Sequence, residues 1–392
     1  MAILDQTVRI GLMHPRSGSH TFAGVECIEA AHVAVRTLEE HGAIPRGRVE
    51  LLEGQVDSVA TATTEARRFI GQGAQVLMGT LLSDWVPPAA EIAQREGVLY
   101  WEAVAASEEI TARGFPNFYR FNRNCEPYAR DMVDFVCDVL APRWGVKPAE
   151  LRVAIAHDPS SFSSSLAAAA RAEVERRGAT VAAFERTPPR EASESDLGAV
   201  VDALRAARPD VVLSPTFGKA TPLLWTQCLA RGFRPRAFMG AGSWALEQHI
   251  AAAGEELDGV FAAGTPHVAA MAAGQLSAEA RRRLIEWRRR TERPHSYRTA
   301  VDRDLTVIAV DVLLERVLPN ARSWHFDDIR EAALAVDIPL GGTLLGYGVK
   351  LNARGDNEHT FAAIMQWQYG KLETVWPQLI ATADPWPDGR PA

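Results

Sequence analysis

The sequence predicts an α/β protein made of two doubly wound parallel-sheet lobes. Three observations lead there. Short, β-rich apolar runs alternate with longer amphipathic stretches, the pattern of strand–helix–strand units on a parallel sheet. The alternation starts near residue 7 and restarts after residue 125. The length, 392 residues, exceeds one compact core and suits two lobes of ordinary size.

Taken in order, "TVRIGLM" (7–13) reads as a strand. "GVECIEAAHVAVRTLEEHG" (24–42) reads as a helix, with apolar residues three and four apart and Gly42 as its stop. "RVELLEGQ" (48–55), "AQVLMGT" (74–80) and "GVLYWE" (97–102) are the next strands. Helices at 58–73 and from about Pro87 to Glu96 lie between them. A long helix (126–140) opens the second unit. It leads to "LRVAIAH" (151–157), a helix (163–178), "TVAAFERT" (180–187), a helix (196–208), "PDVVLSPT" (209–216), a helix near 219–231 and "RAFMGAG" (236–242). "DGVFAAGTP" (258–266) looks like a strand feeding back. A long helical region (276–318) and a β-rich tail (339–378) follow, the tail carrying two alternating strands around Gly370, a hairpin signal.

Hydrophobic content of 47%, charged content of 23% and a net charge of -7 describe a globular protein with no electrostatic footprint for nucleic acid. The densest basic stretch, "RRRLIEWRRR" (281–290), has the spacing of a solvated helix face. No run of about 18 apolar residues crosses a membrane. The N-terminal "MAILDQTVRIGLMHP" lacks a basic region followed by a long apolar one, so either the chain stays inside the cell or a leader has been removed. Cys27, Cys125, Cys137 and Cys228 form no CxxC pair; Cys27 and Cys228, in helical and apolar contexts, read as buried free thiols, and a disulfide framework is not expected.

In open parallel sheets ligands sit beyond the carboxyl ends of the strands. Those ends read "HPRSGSHTFAG" (14–24), "TLLSDWVPP" (80–88), "WEAVAAS" (101–107), "HDPSSFSSS" (157–165), "SPTFGKA" (214–220) and "AGSWALE" (241–247). The loops are rich in Gly, Ser or Pro, and they supply the aromatics Phe22, Trp85, Phe162, Phe217 and Trp244. Together these suit a flat, apolar ligand, since aromatic faces supply contact area at low entropy cost. Each alone could equally plug a lobe core.

In "YWEAVAA", Trp101 and Glu102 cannot both face a cleft if the strand runs through them. Trp101 reads either as core or as cleft. Glu102 either meets a cationic or hydroxyl group of a ligand or pairs with an Arg such as Arg120 or Arg123, because an unpaired buried carboxylate is costly or neutral. His14 and His20, on the first loop, read as surface residues or hydrogen-bond partners. No His/Asp/Glu set has metal spacing, and neither a metal nor another cofactor is expected. "GAGSWA" (240–245) imitates part of a dinucleotide motif without the acidic residue that would complete it.

Several segments, in their order, resemble the type I periplasmic solute-binding proteins, and more narrowly the branched-chain amino-acid and amide binding group of ABC transporters. They are "RIGLMHPRSG", "VLMGTLLSDWVPPAAEIAQREGVLYWEAVAASEEIT", "RGFPNFYRFNRN", "VAIAHDPSSF", "ALRAARPDVVLSPTF", "ARGFRPRAFMGAGSW", "LDGVFAAGTP" and "VWPQLIATADPWP". The resemblance implies a three-stranded hinge and ligand capture by closure between lobes. It places crossovers near 122–125, 258–262 and 340–350, giving an N-terminal lobe of 1–122 plus 260–342 and a C-terminal lobe of 123–259 plus 343–392.

In amino-acid-binding members of that group, a loop Ser and groups after the next strand hold the ligand carboxylate. Ser83, with Asp84 and Trp85 beside it, matches the first. Val104 and Ala106 match the second, although the hydroxyl expected at 106 is absent and Ser107 follows it. Phe162 and Phe217 match the second-lobe aromatics. The acidic residue that holds the ligand ammonium aligns with Gly242, and without it the charge-assisted bonds to an ammonium are lost. The resemblance therefore implies a monomeric extracytoplasmic binding protein that works with ABC permease subunits and takes a small aromatic or other carboxylate, or an amide, rather than a simple branched-chain amino acid. A cytoplasmic ligand sensor of the same fold that regulates gene expression is the alternative. An enzyme is not expected, since there is no G-x-S-x-G elbow, Walker loop or supported Cys–His pair.

Overall fold

The computed structural model describes residues 3–18, 20–189, 194–218, 220–245, 256–266, 275–291 and 297–388. The chain divides into two compact units. Unit one is Met1–Asn124 with Leu276–Thr360, and unit two is Cys125–Gln275 with Phe361–Ala392.

The sheet of unit one holds β1 (Val8–Met13), β2 (Val49–Glu53), β3 (Val76–Gly79), β4 (Leu99–Glu102) and β5 (Phe118–Arg120). All pair in parallel, in the order β2-β1-β3-β4-β5. Helices α1 (Thr21–Glu40), α2 (Val59–Gly71), α3 (Val86–Glu96) and α4 (Glu108–Ala112) are the crossovers. Ser58 starts α2 through a capping box with Thr61, and Gly97 ends α3 in the left-handed region at φ 72°. Gly11 inside β1 is needed for close approach, because a Cβ there would lie 2.6 Å from the Phe69 ring of α2. Strand β5 was not anticipated: it is three residues long and bounded by Pro and Asn, too short for a periodicity to show.

Unit two opens with α5 (Cys125–Asp134), which runs on through a π-helical segment, Phe135–Leu140, into α6 (Ala141–Arg143). Then follow β6 (Arg152–His157), α7 (Ser161–Arg176), β7 (Thr180–Arg186), α8 (Glu194–Ala207), β8 (Val211–Thr216), α9 (Ala220–Ala230), β9 (Ala237–Gly242) and β10 (Phe261–Gly264). The chain returns to unit one with α10 (Ala278–Arg290), α11 (Tyr297–Asp311), α12 (Phe326–Leu334) and a ribbon of β11 (Asp337–Ile338) and β12 (Val349–Lys350). The hairpin β13 (Ala363–Gln368) and β14 (Lys371–Trp376) completes the second sheet, in the order β14-β13-β10-β9-β8-β6-β7. The parallel part of that sheet repeats the winding order of the first, so each unit has one point where the order reverses: β1/β3 in unit one and β6/β8 in unit two. Within the helical region 276–318, residues 292–296 lie outside those described, as do Ser19 of the first loop and the residues of "AGSWALE" after Ala245.

Two expected boundaries shift. Strand β10 does not return to the first lobe near 260, because it pairs with β9 in parallel and with β13 antiparallel. The crossover falls at 275/276. Residues 343–360 belong to unit one rather than to the second lobe. The Arg120 amide donates to Gly355 O at 2.7 Å, and the Arg120 guanidinium pairs with Asp356 at 2.5 Å. The first boundary, at 124/125, falls inside the expected crossover of 122–125.

Candidate functional site

In unit one the strand-end loops converge at the β1/β3 point. After β3, the Thr80 hydroxyl donates to Leu82 O at 3.1 Å, and Leu81 is held at φ 82°. A non-glycine residue there costs of order 1–3 kcal/mol, a strain typical of ligand loops. The turn tucks Ser83 beneath the next loop, where its Oγ accepts the amides of Ala106 (3.3 Å) and Ser107 (3.2 Å). A hydroxyl that accepts two amides still has its one proton to give. Asp84 is exposed and Trp85 half-buried, with His20 edge-on to the indole at 6.3 Å. Phe22 and Val104 are half-buried and pack on Ala23, Cys27 and Leu81.

Trp101 is core. It has no exposed surface, donates Nε1–H to Ala309 O of α11 at 2.8 Å, and lies 4.8 Å from Phe121. Alternation puts Glu102 on the opposite face. There it pairs with neither candidate arginine: Arg120 binds Asp356, and Arg123 donates to the Tyr347 hydroxyl. Glu102 instead folds back on its own loop. Its Oε1 accepts the amides of Val104 (2.8 Å) and Ala105 (2.9 Å), and the side chain is fully buried. Burial raises its pKa, against the pull of the Ala105 and Val104 amides, the Arg120 charge and the Thr80 amide. The Val104 amide is therefore occupied by a carboxylate of the protein itself, and the Val104 carbonyl accepts from Asn122 Nδ2 at 2.7 Å.

The sign of the resulting pH effect follows. A carboxyl whose folded pKa lies above its unfolded value of 4.5 keeps its proton longer in the fold. The stability it contributes is fully present below the unfolded pKa and is lost as pH rises through the folded one. Glu102→Gln cannot ionise and keeps the accepting oxygen. Relative to the native chain, it is expected to gain stability as pH rises above 4.5, read by urea unfolding. A gap that does not change with pH would contradict this.

His14 is neither a surface residue nor a hydrogen-bond partner. It is fully buried, neither ring nitrogen has a partner, and burial lowers its pKa to about 4. It is therefore neutral at pH 7. Among the described residues no group of three His, Cys, Asp or Glu could hold a metal ion, and the four cysteines are buried thiols outside any disulfide.

In unit two the β6/β8 point carries an aromatic row. Phe162 and Phe217 are half-buried and meet edge to face, with centroids 5.3 Å apart. Tyr128 of α5 lies 6.0 Å from Phe162 and donates its hydroxyl to Ala263 O at 2.5 Å. Gly242, at φ 77°, abuts the row: a Cβ there would lie 3.0 Å from two Phe217 ring carbons and 2.9 Å from Thr216 O. The ring thus fills the space that a side chain at 242 would need. Trp244, expected as a cleft wall, is instead core. It has no exposed surface, donates Nε1–H to Thr216 Oγ1 at 3.0 Å and packs 4.8 Å from Phe238.

Sequence reasoning missed Asp158. It is fully buried, and one of its oxygens accepts both the Ser163 hydroxyl (3.0 Å) and the Phe217 amide (2.8 Å). The other accepts the Ser160 amide at 2.8 Å. The signal was legible: in "HDPSSF", an Asp two residues before Ser160 is the side-chain-to-backbone turn that starts many helices.

Residues 7–359 match the family described as Periplasmic binding protein. The Leu/Ile/Val-binding protein homolog 8 of Brucella abortus (strain 2308) is 30% identical over 379 residues, covering 96% of this chain and 92% of that one. Among solved structures, a leucine binding protein from Thermotoga maritima superposes with a TM-score of 0.77 at 17% identity, over 97% of this chain and 99% of that one. A solute binding protein from R. palustris in complex with benzoate does so with a TM-score of 0.73, also at 17% identity, over 96% and 98%. No described helix is long and apolar enough to cross a membrane. By match, relative and fold together, the chain belongs to the type I periplasmic binding proteins, in the Leu/Ile/Val-binding group.

Proposed function

We propose that this protein is the extracytoplasmic solute-binding component of an ABC uptake transporter, and that its solute is a small aromatic or heteroaromatic carboxylate or amide. The observation that carries the reading is the closed position at Gly242, where the Phe217 ring stands in place of any acidic side chain. An α-amino acid would leave its ammonium without a charged partner there, and an unpaired desolvated charge is costly. The half-buried aromatics Phe162, Phe217 and Trp85, with Phe22, suit a flat apolar body. The Ser83 hydroxyl has a proton for a carboxylate or carbonyl oxygen. Glu102, bonded to its own loop, repels a ligand carboxylate less than a free carboxylate would, because burial favours its neutral form. The solved relative bound to benzoate shows that a protein of this fold can take such a ligand.

In a thermal-shift panel, benzoate, nicotinate and benzamide are expected to raise the melting temperature more than Leu, Ile or Val, because a ligand that favours the folded state stabilises it. A panel in which Leu wins and every aromatic fails removes the reading. Closure of the two units on the ligand belongs to the same proposal. Small-angle scattering should show a smaller radius of gyration at saturating ligand, and an unchanged radius counts against closure.

A further inference from the structure

We infer that Asp158 is a positioning residue that sets the aromatic selectivity of unit two. The inference deepens the proposed function and rests on it for the identity of the ligand class. It starts from connectivity. Asp158 immediately follows β6, and Phe217 immediately follows β8, so the carboxylate spans the point where the strand order of this sheet reverses. A single oxygen of Asp158 takes one donor from each loop: the hydroxyl of Ser163, next to Phe162, and the amide of Phe217 itself. Both rings are thereby tied to one buried group.

The carboxylate suits this place for two reasons. It lies at the start of α7 and accepts the Ser160 amide, a donor that the helix start would otherwise leave without a partner. Its three bonds are charge-assisted, shorter and stronger than those a neutral acceptor would make. A ring pair held edge to face presents a fixed surface to a flat ligand, and a prearranged surface loses less freedom on binding. With the tie released, each loop could move its ring separately. The ring in contact with Gly242 would then no longer have to block that position.

The test uses the whole chain and three variants. Asp158→Ala removes the tie. Asp158→Asn keeps an oxygen that can take both cross-linking donors and gives up the Ser160 amide. Ser163→Ala removes one bond and leaves the buried carboxylate in place. The first readout needs no ligand. Nuclear Overhauser contacts between the Phe162 and Phe217 rings should persist in the native chain and in Asp158→Asn, weaken in Ser163→Ala and disappear in Asp158→Ala. The second readout is calorimetry with benzoate and leucine as probes. Asp158→Ala should lower the benzoate-to-leucine affinity ratio by about tenfold or more, the scale of one lost charge-assisted bond, while Asp158→Asn stays within about threefold. A merely structural role would lower the melting temperature and leave the ratio alone. If Asp158→Ala does not fold, Ser163→Ala decides: unchanged ring contacts and an unchanged ratio overturn the inference. If the native chain binds neither probe, the aromatic reading of the ligand fails, and the ring contacts still decide the role of Asp158.

Discussion

Replacing Arg120 by Ala is expected to cost unit one about 3–5 kcal/mol of stability, the usual loss when one member of a buried ion pair is removed. Arg120 has no exposed surface, and Asp356 is 4% exposed. The guanidinium meets Asp356 through Nη2 at 2.5 Å and Nε at 3.2 Å, and also donates to Ser107 O at 2.7 Å and Thr111 Oγ1 at 3.0 Å. Without it, the Asp356 carboxylate keeps Arg354 at 3.5 Å, whose side chain is 60% exposed, and the Asn124 amide at 3.5 Å. Neither replaces a buried guanidinium. The damage should reach the loop of Ser83, because Ser107, whose carbonyl Arg120 holds, also gives its amide to Ser83. Hydrogen exchange of the β4 and β5 amides measures the loss within unit one. The double variant Arg120→Met with Asp356→Leu should recover much of it, since a well-packed apolar pair often matches a buried ion pair. A single-variant loss under about 1 kcal/mol would show that the pair is dispensable.

The second large effect belongs to Trp244→Ala in unit two, at about 3–5 kcal/mol for removing a fully buried indole. The ring fits so closely that a Cβ on Gly240 would lie 1.9 Å from it. Trp367 Nε1 donates to the Trp244 carbonyl at 3.1 Å, so the backbone here is also tied to β13. Trp244→Phe should lose less stability and leave ligand selectivity unchanged, because the indole has no exposed face to offer a ligand. A Trp244→Phe variant with native stability and altered selectivity would return Trp244 to the binding surface.

Much of the architecture was readable because its causes are local. The buried strands β1, β3 and β8 carry short apolar runs, and the helices between them carry 3.6-residue periodicity and capping residues such as Ser58 and Gly97. What failed was long-range pairing. "VFAAG" reads as a strand from its composition, but nothing in those residues says that its neighbours are β9 and β13. Likewise, Arg120 and Asp356 are 236 residues apart in sequence, so no spacing rule joins them. The side chains of the candidate site divide the same way. Alternation separated Trp101 from Glu102 but could not find the partners of either. Glu102 turned out to bind amides two and three residues ahead, and Trp101 a carbonyl 208 residues away. Gly242 was visible as a departure from the family pattern. Its reason, the Phe217 ring, needed the fold.

The most direct test of the central claim is mass spectrometry of the small molecule that co-purifies with the protein under native conditions. The closed position at Gly242 and the aromatic row beside it predict an aromatic or heteroaromatic carboxylate or amide without an α-ammonium group. Leucine, isoleucine or valine released from the purified protein in equimolar amount would contradict it.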